Sequence, residues 1–206
     1  MVFPLNPSMA ATGPPPVMEA RRWLDGVVFP PHRPLINVSQ AAPVEPPPEA
    51  MRRAIAEAAL SDPGAHLYGP VLGLPELRAE LAARWSADYG GEIAEGQVAI
   101  TSGCNQAFCA ALATLAGAGD EVLLPTPWYF NHKMWLDMAG VRTVPLPAGT
   151  GLLPDPAEAE RRITDRTRAI VLVTPNNPGG VEYPAGLVRA FRDLARLRGI
   201  ALVIDE

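Results

Sequence analysis

From about residue 98 to residue 205 the chain alternates short apolar runs with longer stretches of helical periodicity. This rhythm restricts the fold more than any other feature. Runs rich in Val, Ile and Leu predict strands at Val98–Thr101, Glu121–Leu124, Arg142–Leu146, Ala169–Thr174 and Ala201–Asp205. The stretches between them predict helices at Asn105–Ala116, Trp128–Ala139, Pro156–Ile163 and Pro184–Arg198, the last closed by Gly199 as C-cap. Ile170-Val171-Leu172-Val173 is apolar at every position, as a strand covered on both faces must be. Strands that alternate with helices form a mainly parallel α/β sheet. Asp205 and Glu206 then stand at the carboxyl end of a strand, where open α/β sheets bind their ligands.

The first part of the chain reads differently. Half of its 24 prolines fall within the first 48 residues, clustered at 14–16, 30–31 and 46–48. Proline removes a backbone donor, so this segment is expected to be an extended arm with one short helix around Glu19–Leu24. A helix is predicted over Glu49–Leu60, with Pro48 in its first turn and Met51, Ile55 and Ala59 on one face. Ser61-Asp62-Pro63-Gly64 is a turn. A second helix runs from Leu74-Pro75 to about Asp88, with Leu77, Leu81 and Trp85 forming a stripe and Glu80–Arg84 an outward pair. The expected division is residues 1–48 as arm and start of a small domain, and 49–206 as part of a larger one. There is no internal repeat.

With 48% hydrophobic residues in 206, a sizeable core is expected. The net charge of −5 argues against a nucleic-acid or anionic-membrane partner. No apolar run is long enough to span a bilayer, and Met1–Pro16 does not read as a secretory signal. Cys104 and Cys109 share a predicted helix but point in different directions, so a disulfide between them is not expected. His32, His66 and His132 lack metal-ligand spacing. The expectation is a soluble cytoplasmic protein without a metal.

Four segments could carry chemistry. At Thr101-Ser102-Gly103-Cys104-Asn105 a strand gives way to a helix, whose free N–H groups and dipole suit an anion. The same residues also read as a simple turn with Ser102 as cap. Thr126-Pro127-Trp128-Tyr129-Phe130 follows a strand with three aromatics, one of which could stack on a planar ligand or simply pack in the core. Neighbouring Lys133 reads as a solvated side chain. Thr174-Pro175-Asn176-Asn177-Pro178-Gly179-Gly180 is rich in turn formers, yet adjacent amides at a strand end can present donors and acceptors to a ligand. Asp205 needs a partner at the end of its apolar strand. A cationic ring nitrogen, an arginine or a helix N-terminus would each serve.

In order, these segments resemble the class I/II pyridoxal-phosphate aminotransferases of fold-type I. Tyr68-Gly69-Pro70-Val71-Leu72-Gly73-Leu74-Pro75-Glu76-Leu77-Arg78 is similar to a family segment that precedes them, and the resemblance is clearest from Asn37 to Glu206. It implies a three-layer α/β/α large domain, pyridoxal 5′-phosphate as cofactor, and amino transfer between an amino acid and a 2-oxo acid. The backbone of Gly103, Cys104 and Asn105 would hold the cofactor phosphate. Tyr129 would stack on the pyridine ring, Asn177 would bond its phenolic oxygen, and Asp205 would keep its nitrogen protonated. Tyr68 would reach the phosphate of a neighbouring subunit, which implies a homodimer.

Two departures accompany the resemblance. Where the family's substrate loop has glycine, Ser39-Gln40-Ala41-Ala42-Pro43 has Ala41, whose side chain narrows the approach to substrate. Ala41 and Asn177 are the substrate-binding candidates. The family's Schiff-base lysine and two anion-binding arginines belong to later segments, so no catalytic residue is assigned among these 206. The chain is therefore expected to be an N-terminal portion, inactive alone, with a sheet incomplete at its C-terminal side. A C–S β-lyase or related α-carbon enzyme of the same fold, and a non-catalytic truncated paralogue, are the alternatives.

Overall fold

Four of the five apolar runs pair as parallel strands. In the computed structural model, which describes residues 3–39 and 42–206, β1 (Glu121–Thr126), β2 (Arg142–Pro147), β3 (Thr167–Val173) and β4 (Ala201–Asp205) form one sheet in the order β2-β1-β3-β4. Every pairing is parallel, with Leu123 opposite Val144 and Ile170, and Val173 opposite Asp205. Chain contacts divide the protein into two compact units, Met1–Asp25 with Gly103–Glu206, and Gly26–Ser102.

The sheet belongs to the first unit, and the alternation of its side chains explains the layers. Val122, Leu124, Ala169 and Val171 face one way, onto α5 (Cys104–Leu115) and α6 (Phe130–Met138), where Phe108, Leu112 and Leu136 complete a core. Leu123, Ile170 and Leu172 face the other way, onto α7 (Pro156–Arg162) and α8 (Ala185–Arg198), where Ala159, Phe191 and Leu194 complete a second. This is the expected three-layer α/β/α arrangement. Among these residues Leu112, Leu123, Ile170 and Phe191 have no exposed surface. Gly199 closes α8 in the left-handed conformation at φ 67°, as its position after the last turn implied. In β4 the burial is less complete and Ile204 is exposed.

The amino-terminal arm is not wholly extended. α1 (Pro7–Ala11) is capped by Asn6, whose Oδ1 accepts from the Ser8 N–H at 2.9 Å. α2 spans Pro16–Arg22, earlier than the expected Glu19–Leu24. Both helices carry a proline in their first turn, where the missing donor would be unpaired anyway. That placement reconciles helix with proline-rich sequence.

The second unit holds α3 (Glu49–Ser61) and α4 (Pro75–Tyr89). Asp62 Oδ1 accepts from the Gly64 N–H at 2.8 Å and shapes the turn after α3. The Glu80–Arg84 pair forms at 2.5 Å. The face of α3 that bears Met51 and Ile55 is exposed, as are Leu77 and Trp85 of the α4 stripe. What α4 packs through within its unit is Ala82, which is buried, and Arg78, which donates to the Val98 and Glu95 carbonyls at 2.8 and 2.9 Å. Val98–Thr101 is not a strand. Strands exist through their partners, and here the Ile100 N–H donates to the Leu72 carbonyl instead of to a ladder. Among the described residues no helix is long and apolar enough to cross a membrane, and no cluster of side chains could hold a metal ion.

Candidate active site

The carboxyl end of β4 collects groups from three other parts of the first unit. Asp205 sits there with its side chain 18% exposed. Its backbone carbonyl accepts from the Thr174 N–H at 2.9 Å, which ties the end of β4 to the loop after β3. Cys104, the first residue of α5, places its Sγ 3.0 Å from Asp205 Oδ1. His132, in the first turn of α6, places Nε2 3.2 Å from Asp205 Oδ2.

His132 is buried and stacks face to face on Phe108 at 3.8 Å between centroids, with the Tyr129 ring edge-on to it at 5.0 Å. Its Nε2–H does not lie along the line to the carboxylate, so neither ring nitrogen has an aligned hydrogen bond. The contact with Asp205 is a close approach of Nε2 to Oδ2. It is the largest influence holding the Asp205 carboxyl below its ordinary value of 3.8. Burial opposes the shift and the Cys104 thiol assists it. Asp205 is thus an ionised, partly desolvated carboxylate, a suitable partner for a cation.

The start of α5 lies beside this carboxylate. Its N-cap is Gly103, which has no side chain. Gly103 stands at φ 87°, a conformation that glycine adopts readily, and the space where a Cβ would lie is open. Asn131 then joins two expected site residues: its Nδ2 donates to the Tyr129 hydroxyl at 2.6 Å and to Asn105 Oδ1 at 3.3 Å. The structure therefore brings together Cys104, Asn105, Tyr129 and Asp205 at one end of the sheet.

Asn177 is exposed on the loop that follows β3, and its neighbour Asn176 organises that loop. Asn176 is buried; its Oδ1 accepts from the Gly179 N–H at 2.9 Å and its Nδ2 donates to the Tyr183 hydroxyl at 3.2 Å. The Tyr183 N–H donates to Thr174 Oγ1 at 2.8 Å. A Cβ on Gly179 would meet Asn176 Oδ1 at 2.6 Å, so the turn needs a glycine there. Tyr68 lies in the other unit and is fully exposed. Ala41 lies outside the described residues. Lys133 pairs with Asp137 on its own helix, with its amine 5.8 Å from the centroid of the Trp128 ring.

His132 and Asn131 are the residues that sequence reading passed over. A signal existed: both fall in the first turn of a helix that starts at a strand's carboxyl end, within three positions of Tyr129. In the sequence, histidine suggests a metal ligand first, and a contact to a distant carboxylate leaves no such spacing.

Over 160 residues the chain is 35% identical to the probable aspartate/prephenate aminotransferase of Thermus aquaticus, covering 77% of this chain and 40% of that protein. It is 33% identical over 176 residues to the aspartate aminotransferase of Streptomyces avermitilis, covering 84% of this chain and 43% of that one. The solved structure of an alanine aminotransferase from Pyrococcus furiosus superposes with a TM-score of 0.88 at 26% identity, over 98% of this chain and 52% of that one. The chain thus spans about two-fifths of the length of these curated relatives. The model of the family "Aminotransferase class I and II" matches residues 33–206, and the chain belongs to that family.

Proposed function

We propose that this chain forms part of a pyridoxal 5′-phosphate site in an aminotransferase that moves an amino group between an amino acid and a 2-oxo acid. The observation that carries the reading is Asp205, an ionised carboxylate at the carboxyl end of β4, whose Oδ1 lies 3.0 Å from Cys104 at the start of α5. The residues present fit the cofactor. The open approach at Gly103 would admit a phosphate to the N–H groups of Gly103, Cys104 and Asn105. Asp205 would pair with the ring nitrogen, Tyr129 would lie against the ring, and Asn177 would bond the phenolic oxygen and border the substrate with Ala41. What the cofactor supplies when bound is an electron sink for charge that develops at the substrate's α-carbon.

The protein's own contribution is electrostatic. His132 and Cys104 hold Asp205 ionised against the effect of burial, and the α5 dipole favours the phosphate. The same proposal takes residues 1–48 as arm and start of a small domain and 49–206 as part of the cofactor-binding large domain. It also takes the protein as a cytoplasmic homodimer in which Tyr68 meets the phosphate of the neighbouring subunit; the exposed Tyr68 and the free thiols of Cys104 and Cys109 support this.

Pyridoxamine 5′-phosphate is the suitable probe, because it binds without a covalent link. Fluorescence titration is expected to show saturable binding, weakened at least about tenfold in Asp205→Asn by loss of a charge-assisted bond. Absence of binding to the unmodified chain, or equal affinity of the variant, overturns the proposal.

A further inference from the structure

The Cys104 side chain has a task separate from its backbone. Cys104 and Asp205 are 101 residues apart in sequence, yet Sγ and Oδ1 meet at 3.0 Å. The thiol donates and the carboxylate accepts. On the far side of the same carboxylate, His132 presents Nε2 at 3.2 Å, from a side chain only 2% exposed whose nitrogens have no aligned hydrogen bond. The two carboxylate oxygens are therefore held by different helices, Oδ1 by α5 and Oδ2 by α6. Contacts on both oxygens select one among the rotamers open to an aspartate at a strand end.

We propose that Cys104 is a positioning residue for Asp205: its thiol holds Oδ1 while His132 flanks Oδ2, so that the carboxylate keeps one direction toward a cationic ring nitrogen. The cationic ring rests on the function proposed above; the thiol contact does not. Two consequences are reciprocal. Asp205 pushes the Cys104 thiol up to about 11 from an ordinary 9.0, first through the hydrogen bond, then through burial and the carboxylate's charge. Cys104 in turn helps to hold Asp205 down. Among the described residues, Cys104 on α5 and His132 on α6 are the titratable groups that meet the carboxylate; Thr174, which follows β3, donates its N–H to the Asp205 backbone carbonyl instead. Exposed as it is, Cys104 is then a poor nucleophile at neutral pH, because the thiolate is the reactive form.

The test begins with the ligand-free chain in a Cys109→Ser background, where Cys104 is the remaining thiol. The rate of alkylation by iodoacetamide is followed against pH. Adding Asp205→Asn is expected to move the thiol titration from about 11 down toward 9.0. At pH 7.5 alkylation then speeds up about tenfold, the hundredfold gain in thiolate being offset by its lower nucleophilicity. In parallel, the ¹³C carboxyl resonance of Asp205 is titrated in Cys104→Ala, where the midpoint is expected to rise, and in Cys104→Ser, where a hydroxyl donor restores it. Pyridoxamine 5′-phosphate affinity is expected to fall about 3–10-fold in Cys104→Ala, the worth of one hydrogen bond, and to recover in Cys104→Ser.

A thiol profile unmoved by Asp205→Asn overturns the proposal. So does an Asp205 titration, or a cofactor affinity, that is the same in Cys104→Ala as in the unmodified chain. If both titrations shift as expected while the unmodified chain binds no pyridoxamine phosphate, the hold of Cys104 on Asp205 stands and the cofactor reading alone falls.

Discussion

Asp205 must stay ionised in a partly buried place, and its neighbours are what make that stable. A lone carboxylate at the end of an apolar strand would be driven toward its neutral form by desolvation. Here the His132 ring is the largest influence in the other direction. His132→Ala is therefore expected to move the Asp205 titration upward, read from its carboxyl resonance, and to weaken pyridoxamine phosphate binding most at mildly acidic pH. The same change removes a ring stacked on Phe108 in a closed part of the core, so thermal unfolding should show a loss of about 1–3 kcal/mol. Asp205 was legible in the sequence as a carboxylate in need of a partner. His132 was not, because its role depends on a contact between residues 73 positions apart that no local pattern encodes. The Asn176–Asn177 pair makes a similar point. Both are turn formers in sequence, and only the buried Tyr183 hydroxyl distinguishes the one that holds the loop from the one that faces outward.

At the scale of elements, α5 links core to site. Phe108 and Leu112 anchor it on the sheet, and its first turn presents Gly103, Cys104 and Asn105. Leu112 has no exposed surface, so Leu112→Ala is expected to cost about 2–5 kcal/mol in denaturant unfolding by leaving a cavity under the helix. The four strands from β1 onward were readable because apolar β-branched runs bounded by turn residues have few other uses. Val98–Thr101 has the same composition but no ladder, since its Ile100 N–H finds the Leu72 carbonyl. Composition marks a segment as able to pair; whether it pairs is decided by what lies beside it. The α1 helix shows the reverse error, where proline was taken as a helix breaker although it occupies the first turn.

For the molecule as a whole, the amino ends of the strands carry a second charged centre, remote from the site. Glu121 is fully buried and accepts from Arg142 at 2.6 Å and Thr164 at 2.7 Å, with Arg166 at 3.1 Å, so that one carboxylate joins β1 to β2 and to the turn before β3. Burial is the largest single influence on it and acts to raise its pKa, but Arg142, Thr164 and Arg166 together outweigh burial and the carboxyl lies below its ordinary 4.5. A group lowered in the folded state contributes stability that is complete above its unfolded value and is lost as pH falls through the folded one. Unfolding measured against pH should therefore lose stability below about pH 4.5, and Glu121→Gln should flatten that slope while costing about 2 kcal/mol at pH 7. An unchanged slope would mean that other carboxylates govern acid unfolding. By itself the sequence determined the class of fold, the four parallel strands, the helices from Glu49 onward and the family motifs, because each depends on residues close in the chain: periodicity, turn formers, caps. The tertiary structure decided which potential strand goes unpaired, which histidine and cysteine hold Asp205, and which acidic residue becomes a buried hub. Those outcomes depend on partners tens of residues away, whose approach is governed by the packing of helices on both faces of the sheet and not by any pattern along it.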